Sequence, residues 1–179
     1  MTKRIEARFV RYWSDRYCET VNQNDEVIHE ELTREISCEI REMGTISKET
    51  LQKLVSWMIR RNHQKIEWDD YANYERGIRA AQIVPDSAKL VMLTALKGIG
   101  PVVGSGILYF LYPGNFPIMN RHCCESLKEM KYISYNAPDT SKYNSYRDTV
   151  LDIMAFCKPY TLRKLDMALN AYNKLQKIS

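Results

Sequence analysis

The chain has 179 residues, with 26 lysines and arginines against 22 aspartates and glutamates, for a net charge of +4. That length suits one compact domain or two small lobes, and so mild a basic excess permits a nucleic-acid partner without demanding one. Five scattered cysteines with no C-x-x-C pair argue against a disulfide framework and against a zinc or iron–sulfur site, and the polar start and lack of a long apolar run predict a cytoplasmic protein with no signal peptide and no membrane span.

In chain order, helical periodicity dominates. The spacing of Ile5, Phe9, Trp13 and Tyr17 predicts a first helix from about Lys3 to Thr20. A second starts near Asp25, carries Leu32, Ile36, Ile40 and Met43, and stops at Gly44, a good residue to close a helix. Ser47 caps a third, whose apolar face is Leu51, Leu54, Val55, Met58 and Ile59. A fourth lies between Trp68 and Ile83, and Pro85-Asp86 starts a fifth that carries Leu90, Leu93 and Leu96. Gly98-Ile99-Gly100 follows, and Pro101 opens an apolar helix to Leu111. After the turn at residues 112–117, a short helix follows Asn120. Residues 131–142 read as a surface loop. Two last helices carry Tyr146, Val150, Ile153 and Met154, and then Leu162, Leu165, Leu169 and Tyr172 behind a Thr161 cap. Nothing alternates with period two, so the expected class is all-α, a two-lobed helical bundle of about nine helices joined by short loops.

The stretch from Leu93 to Leu111 carries the most chemistry. Gly98 and Gly100 strip side chains from a turn between two helices and permit close backbone approach. Pro101 at the first helical position sacrifices no useful hydrogen bond. The N–H groups around Gly100, Val102 and Val103 then sit at the positive end of a helix dipole, where an anion binds, and Lys97 adds a cation beside them. Such a turn touches phosphate and does not read bases. The same residues also fit an ordinary hairpin that merely joins two helices.

The residues downstream resemble a known family. Phe116-Pro117-Ile118-Met119-Asn120-Arg121-His122 follows the hairpin helix and a Gly/Pro turn, as in the helix-hairpin-helix DNA glycosylase superfamily. In that superfamily this place ends in a catalytic aspartate, followed in one branch by one residue and then a histidine. The resemblance covers about residues 86–128, with a weaker echo at Thr161–Asp166. It implies a single domain over 1–179, with the remaining lobe built from the N- and C-terminal helices. It also implies a duplex-DNA partner containing a damaged or modified base, and a monomer that flips the base and hydrolyses its N-glycosidic bond. The setting would be base-excision repair or anti-phage defence. Asn120 takes the catalytic position, and Lys97, Gly98, Ile99, Gly100, Val102, Val103, Arg121 and His122 contact DNA. No cofactor or structural metal is implied, beyond a monovalent cation at the hairpin carbonyls.

Two departures stand out. Val102 occupies the place where bifunctional members carry a Schiff-base lysine, which leaves a monofunctional reaction. Asn120 replaces the aspartate. It is a native variant, an engineered change, or the mark of a protein that binds DNA without cutting it. On the enzyme reading, an Asn120→Asp form is expected to be at least as active as the chain itself. Asp69, Asp70, Glu125, Asp152 and Asp166 are candidate substitute acids. A flipped base needs flat or apolar walls, and Trp57, Trp68, Tyr71 and Tyr74, with Arg61 from the Arg60–Lys65 basic run, are candidates to line that pocket.

Overall fold

The computed structural model describes residues 4–59 and 65–176. Among these residues every regular element is helical and no strand occurs, so the chain is all-α as its periodicity requires. It divides into two compact units, Asn24–Tyr112 and Met1–Gln23 with Pro113–Ser179. The division falls within the 86–128 stretch and assigns the glycine turn and Asn120 to different units.

The central unit holds α2 (Asp25–Met43), α3 (Lys48–Met58), α4 (Tyr71–Ile83), α5 (Asp86–Thr94) and α6 (Pro101–Leu111). The local signals act as expected. Gly44 ends α2 in the left-handed conformation (φ 69°), and the Ser47 hydroxyl accepts from Thr50 N at the start of α3. Leu32, Ile36, Leu51, Leu54, Val55, Ile78, Leu93, Ile107 and Leu108 are fully buried. Helix α6 is the most buried element, packed on α2, α3 and α5. Lys89 is buried as well. Its ammonium donates to the carbonyls of Ala81, Gln82 and Val84 at 3.0–3.1 Å, so one cation closes the C-terminus of α4 and ties it to α5.

The other unit pairs α1 (Ala7–Asp15) with the long α9 (Leu162–Gln176), and α9 also packs against α7 (Arg121–Glu129). Helix α8 (Tyr143–Met154) completes it. The first helix is shorter than its spacing predicts. Ile5, Phe9 and Tyr17 do share a buried face, but the α-helix stops at Asp15 and Tyr17–Glu19 is a tighter 3-10 turn. The turn is closed locally, by Arg16 forking onto both Glu19 oxygens (2.9 and 3.1 Å) and by the Thr20 hydroxyl on Tyr17 O (2.8 Å). Residues 131–139 are irregular, as expected, before a 3-10 turn at Thr140–Lys142. No helix of the described residues is long and apolar enough to cross a membrane.

Candidate functional site

In the central unit the glycine turn is built from below. Helix α5 ends at Thr94 with Ala95 as its C-cap, Ile99 N bonds back to Leu96 O (3.1 Å), and Gly98 takes φ 82°. A β-carbon at Gly98 would meet the Lys65 backbone at 2.7 Å, so both conformation and space require glycine there. Ile99 plugs into the core with 3% of its surface exposed. Its N–H is already engaged, so it serves the turn as an anchor, and any DNA contact falls to its neighbours. The Tyr74 hydroxyl, buried beneath, donates to Lys97 O (2.8 Å) and accepts from Glu67 N (2.9 Å).

Gly100 differs from Gly98. It is exposed, and nothing lies within 4 Å of where its β-carbon would be. It is the N-cap of α6 in extended conformation, with no side-chain cap and with Pro101 next. The first bond of the helix is Gly104 N to Gly100 O (2.9 Å), which places the N–H groups of Val102 and Val103 in the first turn at the positive end of the dipole. The Val103 side chain is buried and that of Val102 half-buried, so only their backbone faces the task. Lys97 is exposed and pairs with Glu67, which raises its pKa. The carbonyls of Leu96, Lys97 and Gly100 each accept a protein hydrogen bond, from Ile99 N, the Tyr74 hydroxyl and Gly104 N respectively.

The proposed pocket aromatics all lie in this unit but form two groups. Trp57 packs with His29 and Phe110 (5.7 Å each) and donates Nε1–H to Asp25 (3.1 Å). Trp68 and Tyr71 instead meet on Tyr74, each 6.4 Å away, and the Tyr71 hydroxyl donates to Ile46 O. Burial, and then the carboxylate of Glu39, push the Tyr71 phenol well above its usual range, so it stays a neutral donor. Arg61 lies outside the described residues.

In the other unit, Asn120 is placed by the segment before it. Phe116, Pro117, Ile118 and Met119 are buried, and two buried tyrosines of α8 hold their backbone: Tyr143 donates to Pro117 O (2.9 Å) and Tyr146 to Ile118 O (2.8 Å). Asn120 then caps α7, its Oδ1 accepting from Cys123 N at 3.0 Å. Its other amide end donates to Asp166 Oδ1, also at 3.0 Å. The half-buried side chain is thus engaged at both ends and lacks the charge and basicity of the carboxylate that its position suggests. Arg121 is exposed and paired with Glu125 (2.8 Å), while His122 Nδ1 meets Asn173 Oδ1 (2.8 Å) on α9. Of the substitute acids, Asp166 is the one hydrogen-bonded to Asn120, and Glu125 is turned to Arg121.

Around that pair runs a polar seam between α7 and α9. Arg163, Asp166, Asn170 and Asn173 follow one another at intervals of three and four, and so share one face of α9. Asp166 Oδ1 also accepts from Asn170 Nδ2 (3.1 Å) and the Cys123 thiol (3.2 Å), and its Oδ2 accepts from Arg163 Nη1 (2.9 Å). Ser126 donates to Leu169 O (2.7 Å). The Arg163 guanidinium also lies 5.1 Å from the Tyr17 ring. Burial, with Asp166 beside it, pushes the Cys123 thiol far above its ordinary range, and Cys124 is pushed up to about 12, so neither is a thiolate nucleophile at neutral pH. The seam was readable only as an interval: four polar residues at helical spacing on a helix whose other buried positions are Leu, Met, Ala and Tyr.

Among the described residues no group of three or more His, Cys, Asp or Glu side chains is placed to hold a metal ion. No family model, curated protein or solved structure matches this chain.

Proposed function

We propose that this protein binds duplex DNA through the backbone of the Gly98–Val103 turn and is a monofunctional DNA glycosylase of the helix-hairpin-helix kind. The observation that carries the reading is the contrast between the two glycines. Gly98 is demanded by the fold, through its φ and the Lys65 backbone against it. Gly100 is demanded by nothing inside the protein, since the space about it is open and its extended conformation suits any residue. A bare, uncapped helix start is what a phosphate needs to reach N–H groups. The Phe116–His122 resemblance supplies the chemistry. The C1′–N bond breaks with its electron pair leaving on the base, water adds to the cationic C1′, and the water's proton goes to the departing base or to solvent. Val102 at the lysine position supports hydrolysis over a Schiff-base route.

The test is Gly100→Asp. Aspartate is a better N-cap than glycine, so the fold is held or strengthened, while a carboxylate now stands where a phosphate would dock. On this reading duplex binding falls at least about tenfold with thermal stability unchanged. Wild-type binding also weakens steeply with salt, by roughly 0.9 log units per phosphate contact for each tenfold rise. Unchanged binding in Gly100→Asp, or wild-type binding flat in salt, overturns the reading.

A second reading, DNA binding without cleavage, is favoured by one observation: both ends of the Asn120 amide are spent on the fold. Assay of free base and abasic sites on damaged and modified duplexes, for the chain and for Asn120→Asp, separates the two. Release of base by the chain itself supports the enzyme, whereas release by Asn120→Asp alone, or by neither form, supports binding without cleavage.

A further inference from the structure

We infer that Asp166, and not the residue at position 120, provides the negative charge of the site, with Asn120 as the positioning residue that turns that charge toward a cationic sugar. The inference rests on the glycosylase reading above. It starts from the way the carboxylate is held. Oδ2 is taken by Arg163, which is 7% exposed. Oδ1 is surrounded by Asn120 Nδ2 at 3.0 Å, Asn170 Nδ2 at 3.1 Å and Cys123 Sγ at 3.2 Å. The ion pair is therefore lopsided. Its positive end lies toward Tyr17 and its negative end beside Asn120. Asn120 is half-exposed, and the Asp166 side chain keeps 11% of its surface open.

This geometry limits what Asp166 does. With three donors already on Oδ1 and Arg163 on Oδ2, it is badly placed to take a proton from water. It is well placed to act through its field, in a setting where water screens little. An N-glycosidic bond breaks through a sugar carrying positive charge, and preorganised charge aimed at a developing charge needs no rearrangement during the reaction. The seam is also more polar than packing requires. A helix pair sealed by leucine would be at least as stable as one that buries an arginine, an aspartate and two asparagines, so the α7–α9 contact carries a charge that the fold alone does not need.

The test uses two duplexes that differ in one atom's charge: one carries a pyrrolidine abasic analogue, cationic at neutral pH, and the other a neutral tetrahydrofuran analogue. The full chain is expected to prefer the cationic duplex by about tenfold. Asp166→Asn should reduce the ratio of the two affinities to about twofold or less, whatever it does to each affinity alone, and Asp166→Glu should restore most of the ratio. A purely structural role would weaken both duplexes together. If the wild-type chain binds both duplexes equally, the inference is overturned whatever the variants do, so the result does not depend on Asp166→Asn folding. If the chain binds neither duplex at low salt, the DNA reading itself has failed, which is a different outcome.

Discussion

The glycine turn before α6 and the seam between α7 and α9 treat polar groups in opposite ways. At the turn, side chains are removed: Gly98 and Gly100 leave backbone N–H groups at an open helix start, with the Tyr74 hydroxyl and Ile99 bracing it from beneath. In the seam, side chains are added and drawn together: Asn120, Cys123, Arg163 and Asn170 converge on Asp166, and His122 meets Asn173. An open backbone site has little stored in it and much to offer a ligand. A closed side-chain network has much stored in it and offers a ligand little beyond its field. Substitutions on the open side of the turn, at Gly100 and Lys97, should therefore move binding with little change in stability, whereas substitutions in the seam, and at the braced Gly98, should move stability.

The largest break in that contrast comes from Asp166→Ala. Removing the carboxylate strands the buried Arg163, and breaking one side of a buried pair costs about 3–5 kcal/mol. Chemical denaturation should show a loss of that order, and a loss under about 1 kcal/mol would mean that the seam is wetter than it is drawn. Next comes Gly98→Ala. Its positive φ and the Lys65 backbone predict a cost of about 1–3 kcal/mol, whereas Gly100→Ala, with open space and an extended backbone, should change stability by about 0.5 kcal/mol or less. Equal effects at the two glycines would remove the basis for treating them differently.

Asn120→Asp is the sharpest probe of the seam. It keeps the cap on Cys123 N but sets a second carboxylate 3.0 Å from Asp166 Oδ1. Like charges raise the folded-state pKa of such a pair above the unfolded value, so stability is highest below the unfolded carboxylate range and is lost as pH rises. Arg163 on Oδ2 tempers the effect. Melting curves should show the variant about 1–2 kcal/mol below wild type at pH 7, with the gap narrowing toward pH 4. The reverse trend would place Asp166 away from position 120. The smallest effect is at the turn's edge. Glu67→Gln releases exposed Lys97 from its pair, and duplex binding should tighten by a few-fold at low salt and converge with wild type at high salt.

Much of the fold was legible because its signals are local. Gly44 and Ser47 end and start helices through their own backbone and hydroxyl, and Gly98 and Pro101 bracket a turn that requires them. The first helix ran too long on paper because periodicity reports which residues are buried, not how the chain winds between them. Tyr17 is buried where the spacing puts it, yet on a 3-10 turn closed by Arg16 and Glu19. Helical spacing cannot say which neighbour a ring meets, and Trp57 and Trp68 pack in different groups.

By itself, the sequence determined the helical class, most helix boundaries and the glycine turn, because propensity, capping and φ restrictions act within a few residues of one another. Only the tertiary structure decided what surrounds Asn120. Its partner Asp166 is 46 residues away, and a hydrogen bond between side chains of two helices depends on how those helices pack. No interval along the chain records that packing: the sequence offers Asp166 as one of five candidate acids, and the α7–α9 contact is what sets it, and not the others, against Asn120.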